Sequence, residues 1–179
     1  MKFDFPQVDL PCEILAWNDV TEDILNIYKQ SCRLKAGIFA ICTEGKMTAT
    51  INLIDYEIKP NDLITLLPGT IIQFRERTEK VRLCFAGFSS ECVERINLIK
   101  SMVSSFSKIT ECPIVELQED IASYLIDYFS LLARVTCDEK LSLPSEMTEV
   151  SLRSILTAVG LIYQRYSCLL YTSDAADEL

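Results

Sequence analysis

The chain has 179 residues, 49% of them hydrophobic, and a formal net charge of −9. That length holds one full core, or a small barrel plus helices, and that composition excludes a disordered chain. The acidic excess runs through the whole sequence, so no segment offers the positive field that direct DNA binding requires.

No apolar run approaches the roughly 20 residues needed to cross a membrane. The start places Asp4 and Pro6 where a signal peptide carries an apolar run. A cytoplasmic protein without membrane contact is therefore expected. The eight cysteines include no CxxC pair, and histidine is absent. Zinc spacing is missing, and so are the commonest metal ligand and the usual general base. No metal or cofactor is expected, and the cysteines read as small buried hydrophobes.

In chain order, residues 12–17 are a short apolar stretch suited to an edge strand. Asn18 and Asp19 then offer a helix cap ahead of Val20, Ile24 and Ile27. Residues 36–43 and 46–54 alternate so that Cys42, Ala40, Ile38 and Ala36 face Met47, Ala49, Ile51 and Leu53. A two-residue turn at Glu44-Gly45 would pair them as a hairpin with this all-apolar face toward a barrel interior. Lys59-Pro60-Asn61-Asp62 and Leu67-Pro68-Gly69-Thr70 bracket the strand-length run Leu63–Leu67, and Ile71–Phe74 follows. In residues 81–88, Val81, Leu83 and Phe85 alternate with Arg82, Cys84 and Ala86. Arg75, Arg77 and Arg82 suggest an anion-binding mouth, but the interleaved acids favour a solvated hairpin tip.

After Ser89 the period changes to that of helices. Cys92, Ile96, Ile99, Val103 and Phe106 form a first stripe. Pro113 interrupts, and residues 114–117 look briefly extended. Residues 118–137 carry Ile121, Leu125, Tyr128, Leu132 and Val135, with a second stripe of Ala122, Ile126, Phe129 and Ala133 beside it. A helix on one core needs an apolar stripe only about 100° wide. The excess must be covered by the chain's own barrel, by neighbouring helices or by another subunit, and Ile121, Leu125, Tyr128, Leu132 and Val135 are taken as a dimer interface. Tyr124 and Tyr128 read as packing residues with a wet hydroxyl end. A third helix, ending near residue 166, carries Leu152, Leu156, Val159, Tyr163 and Tyr166.

The tail Cys168-Leu169-Leu170-Tyr171-Thr172-Ser173-Asp174-Ala175-Ala176-Asp177-Glu178 resembles the translation of a sequencing-library adapter. The expectation is a non-native tail over 168–179 and a natural chain that continues past Ser167.

The hairpin around Glu44-Gly45-Lys46, the run Tyr56-Glu57-Ile58-Lys59-Pro60-Asn61-Asp62-Leu63, the turn Leu67-Pro68-Gly69 and the strand leading into Ser89-Ser90 together resemble the N-terminal sensor domain of AraC-type transcription regulators. The resemblance covers about residues 30–167. It implies an α+β fold: a small antiparallel cupin-like β-barrel over 1–88, then three α-helices over 89–167 serving dimerisation and linkage. It implies an effector in the barrel, a homodimer, and DNA contact only through a C-terminal helix-turn-helix part missing here. Where cupin enzymes place histidines around a metal, this chain has none.

Three functions remain in view. The first is the effector-sensing and dimerisation portion of a transcription regulator, cut before its DNA-binding domain and not an enzyme. Its barrel lining would include Ile38, Ala40, Ile51, Phe74 and Phe85, although such residues also simply fill cores. The second is a stand-alone interaction module whose helices dock on a partner. The third is a small cupin isomerase or lyase, which would need a metal or an acid/base pair inside the barrel.

Overall fold

The computed structural model describes residues 4–20, 22–78, 80–97, 103–137 and 143–177. Ten strands form two five-stranded sheets. The outer sheet has the order β1 (Gln7–Val8), β3 (Cys32–Leu34), β8 (Ile71–Arg77), β5 (Met47–Ile51), β6 (Ile54–Ile58). The middle sheet has the order β10 (Ile114–Glu116), β7 (Asp62–Leu66), β4 (Gly37–Glu44), β9 (Arg82–Phe88), β2 (Ile14–Trp17). Pairing is antiparallel except between β1 and β3. Five helices complete the described fold: α1 (Glu22–Ile27), α2 (Ser90–Arg95), α3 (Val103–Glu111), α4 (Glu119–Cys137) and α5 (Ser145–Asp177).

The result is three layers: outer sheet, middle sheet, helices. One core lies between the sheets, with Cys32, Leu34, Met47, Ala49, Ile51, Ile58 and Ile72 from the outer sheet. Ala40, Cys42, Ile64, Leu66, Leu83 and Phe85 meet them from the middle sheet. The other core lies between the middle sheet and the helices. Phe39, Ile41, Leu63, Cys84, Ala86 and Phe88 face Cys92, Leu125, Phe129, Leu132, Leu152, Ile155 and Tyr163 there. The alternation along β9 explains the arrangement: successive side chains point to opposite faces, and both faces of this sheet are covered.

The α+β class is as expected, but four of the sequence expectations change. First, the strands form two separate sheets rather than one closed barrel. Second, β4 and β5 do not pair across Glu44-Gly45; β4 joins β7 and β9, while β5 joins β6 and β8. The apolar alternation placed Ala40, Cys42, Met47, Ala49 and Ile51 in one core correctly, but facing sheets satisfy that pattern as well as neighbouring strands do. β4 is apolar on both faces and sits mid-sheet. β5 carries Thr48 and Thr50 outward and belongs to the exposed sheet. Gly45 (φ +80°) makes the turn between layers, and an added Cβ would strike the Lys80 carbonyl.

Third, 46–54 is not one strand. Asn52 (φ 49°) and Leu53 (φ 70°) form a two-residue turn between paired Ile51 and Ile54, and Leu53 is exposed rather than interior. Fourth, four helices rather than three follow Ser89 among the described residues. The first is short: Ser89 Oγ caps it by accepting from Cys92 N, and Asn97 (φ 52°) leaves the helical region just after it. Ile99 of the first stripe lies outside the described residues. Of the cysteines, Cys32, Cys42, Cys84 and Cys92 are buried, whereas Cys112 is half-buried and Cys12 exposed.

Two features fasten the helices. Tyr163 Oη donates to the Cys112 carbonyl (2.7 Å), next to β10, where Thr65 N donates to the Pro113 carbonyl (2.9 Å). Arg95 on α2 donates from Nη1 to Glu13 (2.7 Å) and from Nε to Glu149 in the first turns of α5 (2.8 Å). The hydrogen bond from Arg95 holds the Glu13 carboxyl below its ordinary value of 4.5, against the opposing effect of burial. Stability drawn from Glu13 is thus present above that ordinary value and lost as pH falls through the lowered native one. Arg95→Met is expected to flatten the decline in urea midpoint between about pH 6 and pH 3. An unchanged slope would show that the pair does not couple to folding.

Candidate functional site

Between the two sheets lies a cavity of about 240 Å³. The outer sheet supplies Leu34, Ile72 and Phe74. The middle sheet supplies Leu15, Ile38, Ala40, Ile64, Leu66, Leu83 and Phe85. The chain entering β2 adds Val8, Asp9, Leu10 and Pro11, and the segment around α1 adds Val20, Ile24, Leu25, Ile27 and Tyr28.

Four of the five residues expected to line an effector site, Ile38, Ala40, Phe74 and Phe85, stand in this wall. Ile51 belongs to the same inter-sheet core but not to the cavity. Sequence reading missed the contribution of residues 8–11, where a two-residue strand and a proline leave no periodicity to detect. It also missed Ile64 and Leu66, although the run Leu63–Leu66 has the alternation of strand residues with opposite faces.

Both covering segments are tied to the sheets. Val20 N donates to the Leu83 carbonyl (3.1 Å), and Phe74 N donates to the Tyr28 carbonyl (2.8 Å). Gln73 Nε2 donates to the Lys29 carbonyl (2.8 Å), and Ser31 Oγ donates to Gln73 Oε1 (3.0 Å). Tyr28 meets Phe74 edge-on, ring centroids 5.6 Å apart. In the N-terminal segment, Arg33 N and Lys35 N donate to the Pro6 and Val8 carbonyls, each at 2.8 Å. Leu10 packs over Gly87, where an added Cβ would come within 2.8 Å of its Cδ1.

Asp9 is the one charged residue in the wall among the described residues, and its oxygens are engaged. Oδ1 accepts from Leu10 N (2.8 Å) and Ser90 N (3.0 Å), and Oδ2 accepts from Ser90 Oγ. Burial works to raise this carboxyl, but the Ser90 and Leu10 hydrogen bonds outweigh it and hold the group below its ordinary value. Burial, then the neighbouring Cys32 thiol, pushes the Tyr28 phenol up. The wall presents no acid/base pair, and no group of three or more acidic or cysteine side chains converges on a point among the described residues. Such a partly open, mostly apolar space suits an apolar molecule.

Two of the arginines expected at the hairpin tip, Arg82 and Arg75, lie beside acids. Arg82 Nε lies 3.4 Å from Glu44 and 3.7 Å from Asp19. Arg75 Nε donates to Thr50 Oγ1 (2.8 Å) and lies 3.9 Å from Asp55.

A second concavity, about 780 Å³ and open, runs between β10, the start of α4 and α5. Ile121, Leu125, Ala158 and Ile162 floor it, and Tyr124 (65% exposed) and Leu161 (55% exposed) stand on its rim. Leu125 and Leu132, expected at a subunit interface, are buried in the chain's own core against the middle sheet and α5. Ile121, Tyr128 and Val135 are half-buried. The excess apolar surface of α4 is therefore covered in large part from within, and the outward residues are Tyr124 and Leu131.

No family model and no curated protein matches the chain. Solved structures similar to it include ToxT and an AraC-like transcriptional activator. ToxT from Vibrio cholerae is 10% identical over 84% of this chain and 52% of its own, with a TM-score of 0.38. The AraC-like transcriptional activator CuxR is 9% identical over 84% of this chain and 51% of its own, with a TM-score of 0.41. ToxT bound to (E)-4-(8-methylnaphthalen-1-yl)but-3-enoic acid is 12% identical over 84% and 53%, with a TM-score of 0.36. The chain spans about half the length of these proteins. Overlays this loose carry no argument about ligand, partner or mechanism.

Proposed function

We propose that the chain is the effector-sensing and dimerisation portion of a cytoplasmic, DNA-binding transcription regulator. The two facing sheets, built from residues 1–88 with β10 added at one edge, act as an unclosed cupin-like barrel around a small-molecule effector. Residues 89–167 form the dimerising layer, 168–179 are a non-native tail, and DNA is contacted by a segment outside this sequence. The acidic excess of the chain favours that last assignment.

One observation carries the reading: the cavity and the helices share strands. On β9, Leu83 and Phe85 face the cavity, while Cys84 and Ala86 face the helical layer. Cys84 Sγ lies 3.9 Å from the Ile126 carbonyl of α4. On β7, Ile64 and Leu66 face the cavity, and Leu63, just before them, faces the helices. A molecule that spreads the sheets displaces the seat of α4 and α5, and so favours one arrangement of the helical surface over another.

The experiment is a mass measurement. The chain is expected to sediment as a dimer of its 20.3 kDa unit. Tyr124→Asp with Leu161→Asp is expected to return it to one folded unit, its melting temperature lowered only by the lost dimer contact. Ala40→Leu, which fills part of the cavity, is expected to shift the dimer dissociation constant. A chain that is monomeric at about 100 μM defeats the dimer, since an interface of standard size holds well below that concentration. A dimer indifferent to Ala40→Leu defeats the coupling. The open groove favours the runner-up, a stand-alone interaction module, and a monomer with that groove intact would support it. An enzyme would need reacting groups in the cavity, and among the described residues its wall supplies only an Asp9 already engaged and the Tyr28 phenol.

A further inference from the structure

Resting on the cavity's reading as the sensor site, we infer that its ligand is an uncharged, predominantly apolar molecule of about bicyclic size. Carboxylates and sugars are the classes it rejects. Among the described residues the wall holds no lysine or arginine, and the oxygens of Asp9 already accept from Ser90 and Leu10. An anion entering this space would lose its hydration without gaining a counter-charge, and it would face a carboxylate at one edge. A sugar would bring several hydroxyl groups to a wall whose only polar side chains are Asp9 and Tyr28.

Size and shape give the rest. A dry cavity of about 150 Å³ admits benzene. The present space, about 240 Å³, is larger by roughly one further small ring. Phe74 and Phe85 belong to its wall, and Tyr28 and Phe74 already adopt an edge-on pair. A flat aromatic bicycle extends that geometry. Interiors are otherwise packed to crystal density, so a void of this size bounded by side chains from both sheets is a feature to be filled.

The test measures the intact chain with three probes: indole, indole-3-carboxylate and glucose. Indole is expected to bind at one per chain, raise the melting temperature, and bind at least about tenfold more tightly than either of the others. Ala40→Leu is expected to weaken indole at least about tenfold, and Ile38→Phe is the second filling variant should the first not fold. Leu161→Asp, in the separate groove, is expected to leave one indole bound per chain, with an affinity changed only as far as dimer and cavity are coupled. Tighter binding of the carboxylate or the sugar overturns the ligand class and leaves the sensor reading standing. Loss of indole binding in Leu161→Asp alone overturns the assignment to the cavity. No binding of any probe, with a higher melting temperature in Ala40→Leu, makes the cavity a packing void and overturns both.

Discussion

Leu125→Asp is expected to abolish folding, whereas Tyr124→Asp one position earlier leaves the fold intact. Leu125 is 1% exposed and lies in the core shared by the middle sheet and the helices. The side chains packed around it in that core are apolar, so a carboxylate there loses most of its hydration. Burying it costs on the order of 4 kcal/mol or more, close to the whole stability of an ordinary domain. Tyr124 is 65% exposed, and a surface change of this kind stays within about 0.5 kcal/mol. Circular dichroism melts of the two variants check the contrast. If Leu125→Asp melted like the parent and changed only its mass in solution, the residue would belong to a subunit interface and the layering described here would be wrong.

That contrast also marks where the sequence stopped informing. The double apolar stripe of α4 was plain from spacing alone: Ile121, Leu125, Tyr128 and Leu132, with Ala122, Ile126, Phe129 and Ala133 beside them. Periodicity says that a face is covered but not by what. Ile14, Phe39, Cys84 and Leu152 supply much of the cover from elements far away in the chain. The same limit explains β4 and β5. Alternation assigned Ala40 and Ala49 to one interior, yet a strand's inward face is the same whether its partner lies beside it or across the core. The helix expected through Ile96 and Val103 looked continuous because hydrophobic spacing ignores the backbone, and Asn97 adopts a left-handed conformation that ends it. The cavity was legible only as an inward-facing set. Ile38, Ala40, Phe74 and Phe85 were identified, but a void depends on how the volumes of several strands and a distant N-terminal segment add up.

The two phenylalanines on opposite faces of the strand layers turn the cavity into a measurable asymmetry. Phe39 of β4 is fully buried, meets Phe88 edge-on at 6.3 Å, and sits in the tightly filled core against the helices. Phe39→Ala is expected to cost about 3–5 kcal/mol, because packed neighbours relax little into the space left. That corresponds to a melting-temperature fall of roughly 6–20 °C for a chain of this length. Phe74 of β8 also contacts an aromatic partner, Tyr28, but it is half-buried at the wall of an existing space. Phe74→Ala removes fewer packing contacts, leaving about 1–2 kcal/mol, much of it the lost edge-on pair. Urea titrations of both variants read the difference directly. Equal costs would mean that the inter-sheet space is as tightly filled as the helix-facing core. The room assigned to an effector would then not exist, whatever the chain's partners.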